Sequence, residues 1–220
     1  ALVIFAATRL IDVAELRRIG RFRASELFIT AVTTVTVVMF GVLIGIGVAI
    51  VLSLLDLIRR ITTPHADILG YAPGVAGMHS MHDYPDAVPV RGLVVFRYDS
   101  PLFFANAENF LEQAEQAVGD SDQPVEWFLI NAEANTEIDL TAVDMLEELR
   151  IRLEERDITL ALSRVKQDLH RQLEPTGFID RIGEENIFAT LPTAVREYAR
   201  RYREKHGQWP DGVPGYILNP

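Results

Sequence analysis

Residues 27–55 read LFITAVTTVTVVMFGVLIGIGVAIVLSLL, 29 consecutive positions without a charged side chain. As one straight helix this run would reach about 44 Å, against a bilayer hydrocarbon core of about 30 Å. Lipid offers no partners to backbone N–H and C=O groups, so the excess must be absorbed by tilt or by a break that protein shields. The break is written at Phe40 and Gly41, with Gly45 and Gly47 close behind. Two short membrane helices are therefore expected, at about 27–39 and 43–58, with a turn near 40–42.

Flanking charge orients the pair. Arg17, Arg18, Arg21 and Arg23 precede the run, and Arg59 and Arg60 follow it. Positive charge collects on the cytoplasmic side, so both ends belong there and the run must cross, turn and return. Residues 1–10 are expected to be the end of an earlier membrane helix. Residues 12–23, with Val13, Leu16, Ile19 and Phe22 at helical spacing, read as a basic amphipathic link along the interface. The chain opens on Ala1 inside an apolar run, which predicts a carboxy-terminal piece of a larger membrane protein and not a signal peptide. Gly41 and Gly45 are spaced for close helix packing, a reading preferred to substrate contact. The hydroxyls of Thr30, Thr33, Thr34 and Thr36 are expected to bond back to helix carbonyls.

Charge divides the chain at about residue 63. Residues 1–63 hold seven Arg against four acids, and residues 64–220 hold fourteen Lys and Arg against 27 Asp and Glu. The second part would repel a phosphate backbone, which argues against nucleic acid as a partner. With no Cys in the sequence, disulfides and thiolate metal sites are excluded.

Residues 64–87 are rich in Pro and Gly and read as a linker. From residue 88 strand and helix signals alternate. Strands are expected at 92–98 (GLVVFRY), 124–131 (PVEWFLIN), 158–163 (ITLALS) and 186–188. Helices are expected at 106–118, 141–156, 167–173 and 193–205. That alternation argues for an α/β domain at 88–206, a mixed sheet with parallel pairs packed by helices. Thr141, followed by Asp144, is the expected cap of the helix at 141–156, and 207–220 is expected to be an irregular tail.

Three stretches together resemble one family. FGVLIGIGVAIVLSLLDLIRR carries the Gly-broken membrane pair, and TTPHADILGYAPG the junction after it. LVVFRYDSPLFFANAENF, WFLINAEANTEIDLTAVDMLEEL and TGFIDRIGEENIFATLPTAV are similar to a STAS domain. In that order they resemble the SulP anion permeases, over residues 1 to about 203. The resemblance implies the end of a transmembrane domain (1–63) followed by a cytoplasmic STAS domain. It also implies a multi-pass cell-membrane protein, a secondary transporter for small inorganic anions such as sulfate or bicarbonate. The anion would pass through a transmembrane core absent from this sequence, so no substrate-binding residue is expected here. A homodimer, contact with the lipid bilayer and a cytoplasmic protein partner at the STAS surface are implied; no cofactor is. The alternative is a membrane-tethered STAS signalling module of the anti-sigma-factor-antagonist type, without transport.

In antagonists of that type a Ser after the second strand is phosphorylated. The matching stretch here keeps the acid as Asp139 and places Leu140 and Thr141 where two Ser often stand. Thr141 is therefore the candidate regulatory phosphoacceptor, with the helix cap as the preferred reading of its hydroxyl.

Other constellations carry less. His79, His82 and Asp83 lack a third ligand at helical spacing, so no metal site is expected. His65 reads as a linker residue, with pH sensing as the sharper alternative. Glu133, Glu137 and Asp139 form an acidic cluster with no nucleophile or His beside it, so no catalytic residue and no enzyme is expected. The basic last helix reads as a solvated face, with contact to anionic lipid or a partner as the sharper alternative.

Overall fold

The computed structural model describes Arg21 and residues 24–218. The expected helix end at 1–10, and the interfacial link at 12–23 apart from Arg21, lie outside the described residues. The chain divides into two compact units, Ala1–Arg60 and Ile61–Pro220.

In the first unit, helix α1 (Ala24–Phe40) and helix α2 (Val42–Thr62) are separated at Gly41, whose φ of +90° suits a residue without a Cβ. The ends of the pair meet: Arg60 Nη2 donates to Ser25 Oγ at 3.1 Å. The two helices thus form a hairpin. Helix α2 is long and apolar enough to cross a membrane by length and composition, whereas α1, at 17 residues, is apolar but shorter. Gly45 is the one buried residue of α2, and a Cβ there would overlap the Val37 side chain, so this glycine sets the approach of the two helices. Thr30, Thr34 and Thr36 donate to the carbonyls four residues back, each at 2.8 Å. Thr33 Oγ1 departs from that pattern and is buried without a partner among the described residues.

The second unit is a six-stranded sheet with helices on both faces. Strand order is β2-β1-β3-β4-β5-β6, where β1 is Ala66–Tyr71, β2 Met78–Ser80, β3 Leu93–Tyr98, β4 Trp127–Asn131, β5 Thr159–Ser163 and β6 Ile187–Phe188. Strands β3 to β6 run parallel, and β1 is antiparallel to both β2 and β3. Alternation of side chains divides two cores. Val94, Phe96, Phe128, Ile130, Leu160 and Leu162 face one side. That side is covered by α3 (Ala107–Gly119), α4 (Leu140–Glu154), α5 (Gln167–Leu173) and α6 (Phe178–Ile182). Leu93, Val95, Trp127, Leu129 and Ala161 face the other, covered by α7 (Leu191–His206) and the short α8 (Gly215–Leu218). The parallel strands read as continuous apolar runs because both their faces are dry.

Three expectations need correction. Residues 64–87 are not a free linker: β1 pairs with β3 through Ile68 and Phe96, and Leu69 and Tyr71 enter the second core. Pro64, His65 and the glycines hid a strand whose Asp67 breaks the apolar pattern. Asp67 is buried, held by Arg97 Nη2 at 2.8 Å and Ser80 Oγ at 2.7 Å, with His65 Nε2 at 3.2 Å. The tail is not irregular either, since Ile217 is buried and its carbonyl accepts from Arg196 Nε at 2.7 Å. The last helix starts at Leu191, capped by Thr190, with Thr193 closing the box from inside.

Two outcomes are expected. A chain beginning at residue 61 should unfold cooperatively in urea, while one beginning at residue 88, stripped of β1 and with β3 left as an open edge, should aggregate. A cooperative transition from the shorter chain would refute the role given to β1. Gly45→Val should destabilise the full chain in detergent by about 1–3 kcal/mol, and Gly47→Ala, where nothing lies within 4 Å, should not; thermal unfolding compares them.

Candidate functional site

Loops at the carboxyl ends of β3 and β4 hold the sequence-predicted residues, where open α/β sheets commonly place their functional groups. The loop after β3 runs through Ser100, Pro101, Leu102, Phe103 and Phe104 to α3. The loop after β4 runs through Glu133, Asn135 and Glu137 to Asp139 and α4. They are stitched together by backbone, Leu102 N–H donating to Glu137 O at 3.0 Å and Asp139 N–H to Leu102 O at 3.1 Å.

Asp139 is the cap of α4. One carboxylate oxygen accepts from Ala142 N–H at 2.9 Å, and the other accepts from Phe104 N–H in the neighbouring loop at 2.7 Å. This corrects the capping role expected of Thr141. Extended backbone at residue 139 (φ −100°, ψ 172°) makes it the last non-helical position, so its side chain, and not that of Thr141 two residues on, reaches the free amides. Thr141 lies on the first turn, exposed, and its hydroxyl makes no hydrogen bond among the described residues. Its neighbour Leu140 is 69 % exposed.

Two asparagines that sequence reading passed over hold the frame. Asn106, fully buried, accepts from Phe103 N–H at 3.0 Å and donates to Pro101 O at 2.9 Å and Ile61 O at 3.4 Å. Asn135 donates to Ser100 O at 2.7 Å and Tyr98 O at 3.2 Å. Tyr98 Oη donates to Asn109 Oδ1 at 3.0 Å, and burial pushes its phenol above the ordinary tyrosine range. Each of the two asparagines stands between an apolar strand and the helix after it, which is the signal that marks such residues; of their side-chain atoms Asn135 Oδ1 alone is buried without a partner among the described residues.

The remaining candidates do not converge. Glu133 pairs with Arg164, whereas Asp139 is taken by two amides. His79 Nε2 lies 2.9 Å from Ala76 O, while the His82 ring lies 6.1 Å from that of His65. Among the described residues no group of three His, Asp or Glu could hold a metal ion. On the last helix, Arg200 and Arg201 are paired with Glu197, and Lys205 with Glu126. The arrangement binds backbone and stabilises loops; it offers an exposed hydroxyl and an acidic rim.

Comparison with known proteins bears on this frame. The STAS domain model matches residues 84–194, just over half of the 220 residues, beginning after β2. A probable sulfate transporter of Mycobacterium tuberculosis strain H37Rv is 52 % identical over 201 residues, covering 91 % of this chain and 36 % of that protein. Sulfate transporter 4.1, chloroplastic, of Arabidopsis thaliana is 30 % identical over 205 residues, covering 89 % and 30 %. The chain thus spans about a third of the length of these curated relatives. In fold it is similar to the murine Slc26a9 anion transporter in the inward-facing state, with a TM-score of 0.73 at 17 % identity over 86 % of this chain and 31 % of that one.

Asp139→Ala should lower the unfolding free energy by about 1–2 kcal/mol, Asp139→Asn by much less, and Thr141→Ala by no more than about 0.5 kcal/mol. Urea unfolding followed by far-UV circular dichroism measures all three; a larger loss for Thr141→Ala than for Asp139→Ala would reverse the capping assignment.

Proposed function

This chain belongs to the STAS domain family in the form carried by SulP sulfate transporters, and from that premise we propose that it is the carboxy-terminal part of a secondary transporter for small inorganic anions, sulfate first among them. One observation carries the reading. A Gly-broken apolar hairpin leads within five residues into a STAS fold, α2 ending at Thr62 and β1 starting at Ala66, and the match to a probable sulfate transporter takes in 91 % of the chain, more than either part alone.

Physical arguments support the rest. Val38 and Leu43 are 78 % and 86 % exposed on the hairpin, a surface suited to lipid and to other membrane helices. Arginines flank both of its ends, and those ends meet at Arg60 and Ser25, which favours a cytoplasmic location for residues 61–220. There the STAS unit acts as a regulatory and interaction module. Thr141 is its candidate phosphoacceptor: a phosphate would gain from the α4 N-terminus and lose against Asp139 and Asp144. The homodimer implied by the family resemblance belongs to the same proposal.

The test is uptake of radiolabelled sulfate by the full-length protein in cells lacking their own sulfate permease. Saturable accumulation is expected, with removal of residues 61–220 reducing it. A full-length protein that reaches the membrane and moves neither sulfate nor bicarbonate would overturn the reading.

A further inference from the structure

Phe104 and Leu140 are the most exposed large apolar side chains described in the second unit, at 72 % and 69 %. Both belong to the stitched loops. Asp139 binds the amide of Phe104 and directly precedes Leu140, so one carboxylate fixes the backbone at both positions. Beside them opens a cleft of about 440 Å³ with Pro101, Leu102, Phe103 and Ile138 in its wall. Backbone held this way has little freedom to lose on binding, which lowers the ordering cost at these two positions.

Charge selects the occupant. The two segments bearing these residues, 99–108 and 133–144, contain six acids and no Lys or Arg. Asp99 pairs with Arg97, Glu133 with Arg164, and Asp139 is bound by amides. Glu108, Glu137 and Asp144 form no ion pair among the described residues and leave the rim negative. An anionic lipid surface would be repelled there. A second copy meeting this face through a two-fold axis would set like charges together.

We propose that Phe104 and Leu140 anchor a docking surface for a basic, amphipathic peptide segment of another protein, its apolar side chains meeting theirs and its Lys or Arg side chains meeting Glu108, Glu137 and Asp144. The inference rests on reading the STAS unit as an interaction module, and is independent of transport.

The full chain in phosphatidylcholine nanodiscs is titrated against a fluorescein-labelled twelve-residue peptide with Leu and Phe at helical spacing among Arg. Fluorescence anisotropy is read, and protein-free nanodiscs are subtracted. Saturable binding is expected, weakened at least fivefold by Phe104→Ser or Leu140→Ser and weakened by added salt. Ile151→Ser, at a position 43 % exposed further along α4, should stay within twofold. Glu137→Gln with Asp144→Asn should weaken binding and flatten its salt dependence, a check that does not depend on the apolar variants folding. Absence of saturable binding, equal binding of a peptide with Glu in place of Arg, or equal losses at Ile151 and Phe104 would each overturn the proposal. So would protection of the Leu140→Cys variant (the sequence has no Cys of its own) from maleimide by phosphatidylglycerol nanodiscs without peptide. Sulfate uptake is measured separately, so failure of either result leaves the other standing.

Discussion

Burial of β3, β4 and β5 on both faces is the constraint from which the second unit follows. Val95, Phe128, Leu129 and Ala161 are wholly shielded from water, and no strand carrying them could remain so beside a single layer of helices. Two separate covers are needed, and the chain supplies them in sequence order: α3 to α6 on one side, then α7 and α8 on the other. Parallel strands require crossover connections, so the loops at their carboxyl ends gather at one end of the sheet. The site is a by-product of that topology.

What makes those loops a defined surface is polar, not apolar. Asp139, Asn106 and Asn135 together bind amides and carbonyls of two chain segments, 100–104 and the first turn of α4, that no strand could pair. A loop satisfied in this way can hold Phe104 and Leu140 in water without collapsing over them. Stability of the loops and presentation of the anchors are therefore one arrangement, seen from the inside and from the outside.

The same economy operates at the start of the second unit. Pro64, His65 and Asp67 follow α2 closely, and Asp67 ties β1 to β2 and β3 through Ser80 and Arg97. Asn106 and Gln113 bind the carbonyls of Ile61 and Pro64. Residues 61–64, the start of the second unit, are thus fastened to the loops carrying the candidate site.

The linear sequence determined the apolar hairpin, its break at Gly41, the three buried parallel strands and most of their helices, because these depend on local periodicity and on side-chain transfer from water. Family resemblance to the STAS and SulP pattern was legible for the same reason, being carried by contiguous motifs. Tertiary structure alone decided that residues 66–71 form a strand, that the tail seals the second core, and that Asp139 caps α4 in place of Thr141. In each case the deciding partner is distant along the chain: Phe96 for Ile68, Arg196 for Ile217, Phe104 for Asp139. A hydrogen bond across more than twenty residues leaves no periodic trace, and only the folded chain brings its two ends together.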